Sequence, residues 1–266
     1  MPQIMRSNCP IYYESRGNGL PLVFIPGPSF SHRLFEPQIE YFRHYYRVIV
    51  MELRGNGQSG KLSVPGKEII EEQCRDIYAL LNHLGITNAV FIGFSGGGFV
   101  VQKFAHLYPG KVRAIVATDS HHWSITQNRS VRFFQSLAAL LHFIPDDMET
   151  RTTRIVYSQW LMAYKILKRE RRQKRPTETI KQEYALHRLN YREIAPFLQI
   201  PVLLVASEGN AYLVKEAQEM RRLLPRSKVE IINDSLDPSH LCQPLRFNAI
   251  VQDFLEYHGY HLLFEK

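Results

Sequence analysis

FIGFSGGGFV, residues 91–100, sets one serine between a glycine two positions before it and three glycines directly after it. An apolar run, Ala89-Val-Phe-Ile92, leads in, and a stretch of helical character from Gly97 to Tyr108 leads out. The first reads as a buried strand and the second as a helix, so Ser95 falls on a tight strand-to-helix turn. Such a turn needs small residues two before and two after the serine, because side chains there would block the crossing backbones. Gly93 and Gly97 meet that requirement in the pattern G-x-S-x-G. The helix that opens here aims its unpaired N–H groups and positive dipole end at the serine. Ser95 is therefore a candidate nucleophile, and the Gly96 N–H a candidate donor to a developing oxyanion. The competing reading is a plain glycine-rich turn.

Outward from the turn, short apolar runs alternate with amphipathic segments. Leu22–Ile25, Arg47–Glu52, Ala114–Thr118, Pro201–Ala206 and Val229–Ile232 read as further strands. Helices are expected over Lys67–Leu84, Tyr212–Leu224 and Leu245–Tyr257. In the first of these, Ile70, Cys74, Ile77, Leu81 and Leu84 form one stripe at helical spacing. The alternation implies an α/β fold: a mostly parallel sheet with helices on both faces. It stops between Ser120 and about Gln199, where helix formers, aromatics and basic residues replace the strand pattern. The expected division is a core from residues 1–119 and 200–266, with a helical cap inserted over 120–199.

The 266 residues, 45% hydrophobic and 22% charged, suit a folded core rather than disorder. No stretch approaches the roughly 18 apolar residues of a membrane span. Three cysteines, Cys9, Cys74 and Cys242, are odd in number and widely spaced, without CxxC pairing. They argue for reduced thiols and against a disulfide or zinc framework. The first fifteen residues lack the apolar block of a secretory signal, and a cytoplasmic setting is expected. No metal or other cofactor is expected, and a small molecule is the expected substrate or ligand.

The formal charge is +8. Seven basic residues and one acid fall in the run Lys165 to Arg175. It reads either as a patch for nucleic acid, a membrane surface or an acidic partner, or as a solvated helical face. No base-stacking aromatics interleave it, which favours the solvated face and argues against nucleic acid.

Four stretches together resemble the α/β-hydrolase superfamily. PLVFIPGPSFSHRLFEPQ looks like its oxyanion strand and loop, and FIGFSGGG like its nucleophile turn. VMELRGNGQSG is similar to its D-x-R-G-x-G-x-S segment, with Glu52 for the aspartate and Asn56 for the usual histidine. IPVLLVASEGN and IINDSLDPSHLCQP look like the two late strands whose loops hold the catalytic acid and histidine. The resemblance implies a serine nucleophile, an oxyanion hole and a helical cap. It names no substrate, because the fold hosts many chemistries.

The triad pattern departs from the family at three places. Asn210 stands where the acid is usual and can orient an imidazole without stabilising its charge. Asp237 stands in the usual position of the histidine, and His240 matches a second histidine three residues on. In the oxyanion loop one alignment puts Pro28, which has no N–H, at the donor position. A one-residue shift resembles the G-G-P-G run of proline iminopeptidases and makes Gly27 the donor.

Substitutes are available. Asp119 ends a strand at a place where some lipases of the superfamily carry their acid, and His121 and His122 follow at once. Phe133, Phe134, Trp160 and Tyr164 could line an apolar pocket or simply fill the core. Two readings result. In one, a serine hydrolase uses Ser95 as nucleophile, His240 as base, Asp119 or Asn210 as orienting group, and Gly96 and Gly27 as oxyanion donors. In the other, the chain keeps the fold and pocket as a non-catalytic binding or interaction module.

Overall fold

The computed structural model describes residues 2–120 and 146–260. Its centre is an eight-stranded sheet in the order β1-β2-β4-β3-β5-β6-β7-β8. The strands are β1 (Gln3–Arg6), β2 (Cys9–Arg16), β3 (Pro21–Ile25), β4 (Arg47–Met51), β5 (Ala89–Phe94), β6 (Val112–Thr118), β7 (Val202–Ser207) and β8 (Ser227–Ile232). From β4 to β8 every neighbour is parallel; β1 and β2 join as an antiparallel edge. That hairpin, turning through Ser7 and Asn8 at positive φ, gives no long apolar run, and the sequence reading did not anticipate it.

The central strands are continuous apolar runs because both of their faces are covered. In β3, Val23 and Ile25 belong to one hydrophobic core, and Leu22 and Phe24 to the other. The same alternation runs through Val202, Leu204 and Ala206 against Leu203 and Val205 in β7. On the first face lie α2 (Ile69–His83), α3 (Gly96–Leu107) and α8 (Ala211–Leu223). On the second lie α1 (Glu36–Phe42), α9 (Ser239–Cys242) and α10 (Pro244–Tyr257). The stripe expected on α2 is the face it buries: Ile70, Cys74, Ile77 and Leu81 are inaccessible, and Leu84 packs against them.

Between β6 and β7 the described residues are helical: α4 (Asp146–Val156), α5 (Leu161–Arg171), α6 (Pro176–Leu186) and α7 (Tyr191–Ile194). Helix α5 sends Ala163, Ile166 and Leu167 into the second core, while α6 sends Ala185 and Leu186 into the first. These helices thus reach both sides of the sheet's carboxyl end, where ligands bind in open parallel sheets.

A buried charge network ties β1, the loop after β4 and α2 together. Arg54 forks onto Asp76 through Nε and Nη2, both at 2.6 Å, and both side chains are inaccessible. Arg6 adds bonds to Asp76 at 3.1 Å and to Glu72. The buried Asp76 and Arg54 compensate each other, while Glu72 meets Arg6 and the half-exposed Arg75 at the rim, and that pairing is what makes the burial tolerable. Asp76→Ala leaves Arg54 uncompensated, and a loss of about 3–5 kcal/mol is expected in denaturant unfolding. The double replacement Arg54→Met with Asp76→Leu is expected to recover most of it; a single variant within about 1 kcal/mol of wild type would show that the pair is solvated.

Candidate active site at the β5–α3 turn

Ser95 occupies the turn between β5 and α3 at φ 51° and ψ −125°. Positive φ is unusual for a residue with a side chain and costs on the order of 1–3 kcal/mol. The surroundings impose it. A Cβ on Gly93 would lie 2.5 Å from the Gly98 Cα, and one on Gly97 would lie 2.2 Å from the Ile25 carbonyl oxygen. The Ser95 N–H donates to the Thr118 carbonyl at 3.0 Å, and the Ser95 carbonyl accepts from the Gly98 N–H and the Ser120 hydroxyl. The backbone is thereby fixed from β6 and from α3. The Ser95 hydroxyl takes no part in capping the helix and is half-buried.

The loop after β3 closes over this turn. A Cβ on Gly27 would sit 3.2 Å from both the Gly96 nitrogen and the Ser95 Cβ, so this glycine lets the loop press against the serine. Pro28 packs its ring on Gly96, as does Leu186 from α6: a Cβ on Gly96 would meet Pro28 Cδ at 2.5 Å and Leu186 Cδ1 at 2.6 Å. Pro28 has no N–H to offer, whereas Gly27 has one and lies beside the serine.

Three polar clamps hold this loop. Asn56 donates to the Gly27 carbonyl at 2.9 Å, accepts from the Ser29 N–H, and accepts from Gln182 of α6 at 2.9 Å. Glu52 accepts from the His32 N–H and meets the His32 Nδ1 at 2.6 Å. Glu170 of α5 accepts from the Ser31 N–H at 2.5 Å and the Ser31 hydroxyl at 2.8 Å. Burial pushes the Glu170 carboxyl above the usual carboxylate range, and the two Ser31 donors restrain it. Glu170, Gln182 and His32 were not singled out in the sequence. The available signal was Glu170 itself, the one acid inside a basic run.

The other residues named from sequence sit as follows. Asp119, at φ 46°, is buried after β6. Its carboxylate accepts from the Ser207 N–H at 2.9 Å and from the Ser239 N–H and hydroxyl, both at 2.7 Å. Asp237 is its electrostatic neighbour, and the Asp237 carboxyl is held well above the ordinary range by burial first and by Asp119 second. Burial raises Asp119 too, while the serine donors favour its ionised form. Asp237, which lacks such donors, has nothing to offset the rise that burial and Asp119 impose on it. Asn210 lies apart, its side chain accepting from the Leu213 N–H at 3.2 Å as the cap of α8.

His240 is fully buried in an aromatic cage, its ring centroid 5.1 Å from Phe35, 4.9 Å from Phe94 and 5.7 Å from Phe247. Neither ring nitrogen has a hydrogen-bond partner; Ser95 Oγ does not reach them. The Leu34 carbonyl faces the ring outside hydrogen-bond geometry and favours the charged form slightly. Burial dominates and pulls the imidazole down to about 3. A ring buried in such a cage holds a proton weakly. His121, His122, Phe133 and Phe134 lie outside the described residues. Trp160 and Tyr164 are half-buried on the cap, with Lys168 over the Tyr164 ring.

The basic run is largely spent on internal contacts. Arg169 pairs with Glu36, Arg171 and Lys174 with Glu149, and Arg175 donates to the Gly57 and Ser59 carbonyls. Among the described residues, no cluster of three or more His, Cys, Asp or Glu could hold a metal ion. No helix among them is long and apolar enough to cross a membrane.

The caged imidazole carries a pH signature. A histidine with a depressed folded pKa binds its proton in the unfolded chain first, so its contribution to stability is lost as pH falls below about 6.5. His240→Phe fills the same cage without a titrating group. Its melting temperature is expected to fall less than that of wild type between about pH 7 and pH 4.5. Equal slopes for the two proteins would show that the ring is open to protons.

Comparison with known proteins places this geometry. A family model described as alpha/beta hydrolase fold matches residues 21–242. A pimeloyl-[acyl-carrier protein] methyl ester esterase from Vibrio vulnificus is 24% identical over 248 residues, 89% of this chain and 94% of that one. A putative carbamate hydrolase RutD from Acinetobacter baylyi is 23% identical over 268 residues, 94% of this chain and 98% of that one, whereas 35% identity to the bifunctional epoxide hydrolase 2 of Sus scrofa is local, over 75 residues and 14% of that protein. Among solved structures, a bromoperoxidase from Bacillus anthracis superposes with a TM-score of 0.83 at 20% identity, covering 96% of this chain and 100% of that one. The enol-lactonase from Burkholderia xenovorans LB400 gives 0.81 at 16%, covering 96% and 100%. With the family model spanning most of its length, from β3 through α9, the chain belongs to the alpha/beta hydrolase fold family.

Proposed function

We propose that this protein is a serine hydrolase that cleaves an ester, lactone or amide of a small, partly apolar substrate through Ser95. The observation that carries the reading is the backbone of Ser95, held at φ 51° with its hydroxyl left out of helix capping. A strained position of this kind persists only where the surrounding structure over-determines it, and such positions concentrate at active sites. Attack by Oγ on the carbonyl carbon yields a tetrahedral oxyanion, for which the Gly96 and Gly27 N–H groups are the donors. The C–O or C–N bond then breaks, the leaving alcohol or amine departs with the proton given up by the Ser95 hydroxyl, and water hydrolyses the acyl-serine, its oxygen going to the acid product and a proton returning to Oγ. Pro28 and Leu186, both against Gly96, give the site an apolar wall. The names of the esterase and lactonase relatives support a carbonyl substrate.

A second reading has a specific observation behind it. A serine near neutral pH needs a base to take its proton. By the resemblance Asp237 takes the histidine's usual position, with Asp119 as its electrostatic neighbour, and neither ring nitrogen of His240 is hydrogen-bonded to Ser95. On this reading the chain is a binding or interaction module that kept the pocket. Loss of the triad base leaves only the roughly 10³–10⁴-fold acceleration that binding and an oxyanion hole supply.

Labelling by a fluorophosphonate probe and turnover of short-chain nitrophenyl esters, each with a Ser95→Ala control, decide between them. Serine-dependent turnover is the expected result; neither labelling nor turnover establishes the binding module. His121→Ala and His122→Ala belong in the same experiment, because these two residues follow Ser120 directly in the chain.

Asp237→His tests the position of the missing base. A histidine there would have Asp119 as its orienting acid, and ester hydrolysis is expected to rise about 10²-fold or more. Adding Asp119→Asn is expected to remove most of that gain. An unchanged rate in a folded Asp237→His variant would mean that position 237 does not face Ser95.

A further inference from the structure

The outer side of the α4–α5 pair has no role in the site described above. Eight aliphatic side chains are exposed among the described residues, and five of them, Met148, Ile155, Val156, Leu161 and Met162, fall in this one pair. Four cluster where α4 ends and α5 begins, with Ile155 76% and Leu161 59% exposed. Isolated exposed aliphatics are ordinary; several at one helical tip are not.

The charge around the tip has one sign. Arg151, Arg154 and Lys165 are exposed and make no ion pair among the described residues. The acids of the pair are accounted for elsewhere: Glu149 is held by Arg171 and Lys174, Glu170 is buried against Ser31, and Asp146 and Asp147 open α4 at the end opposite the tip. Tyr157 and Trp160, half-buried at the connection, pack edge to face at 6.4 Å. An apolar tip, amphipathic aromatics at its shoulder and a basic collar form the pattern of a segment that lies in a lipid–water interface.

We infer that the α4–α5 tip docks the cap on an anionic phospholipid surface, with Ile155, Val156, Leu161 and Met162 entering the acyl boundary and Arg151, Arg154 and Lys165 meeting the headgroups. The positive collar selects an anionic bilayer over a neutral one, and the exposed aliphatics distinguish insertion from simple charge attraction. The inner side of the same pair reaches the site: the Tyr157 hydroxyl donates to the Asp237 carbonyl, and Glu170 holds Ser31. The docked tip would face the bilayer while its other side holds the Asp237 loop and the loop after β3. The inference does not depend on whether Ser95 is reactive, since binding is read directly.

Co-sedimentation of the full chain with phosphatidylcholine vesicles, with and without phosphatidylserine, tests it. Binding is expected to vesicles containing phosphatidylserine and to be weaker without it. Two variants separate the components: Ile155→Ser with Leu161→Ser, and Arg151→Gln with Arg154→Gln and Lys165→Gln. Each changes exposed residues only and is expected to weaken binding about tenfold or more while melting temperature holds. Failure of wild type to bind either vesicle overturns the inference. So does binding that the serine variant leaves intact, which would reduce the effect to bulk electrostatics. A wild-type dimer that the serine variant converts to monomer, without vesicle binding, would assign the tip to contact between two copies.

Discussion

The closest constraint in this molecule is the approach of two backbones at the end of β5. Gly93 lies so near Gly98, and Gly97 so near the β3 carbonyl at Ile25, that no side chain fits at either position. This proximity lets α3 start directly at the sheet's carboxyl edge, and it drives Ser95 into positive φ. From that one geometry follow the half-exposed hydroxyl, the orientation of the α3 amides and the closeness of Gly27. A bulkier residue at either glycine would move the helix, the serine and the oxyanion loop together.

The loop facing the serine depends on polar residues contributed from far along the chain. Asn56, Glu52 and Glu170 each bond to a different part of residues 27–32. Two of the clamps reach the helices of the inserted segment, through Gln182 and Glu170. The loop after β3 is therefore mechanically joined to α5 and α6, and displacement of either helix would be felt at Gly27. These bonds are buried, so removing any one leaves a desolvated partner, which makes the arrangement more specific than the bond energies alone suggest.

The strands from β3 to β7 were legible because burial on both faces writes them as largely apolar runs. Helix α2 was legible because one stripe of it faces the core. The β1–β2 hairpin was not, since an edge strand with mixed burial lacks either signature. The serine turn was legible because small residues at fixed spacing are a local steric requirement. The fate of His240 was not: its cage is assembled from Phe35, Phe94 and Phe247, residues spread over more than two hundred positions. Nor could spacing reveal that Asp237 would lie beside Asp119, or that most of the basic run would be engaged by Glu36, Glu149 and backbone carbonyls.

By itself the sequence determined the layered sheet and the strand-turn-helix around Ser95, and it set Asn210 and Asp237 in the loops after the two late strands. Those features are local, fixed by periodicity, by glycine and by residue identity. Only the tertiary structure decided which polar groups meet. It put Gly27 beside the serine, gave Asp119 its three donors and left the His240 ring enclosed in hydrocarbon. Meetings of that kind depend on where distant segments pack, and desolvation acts only once they have packed.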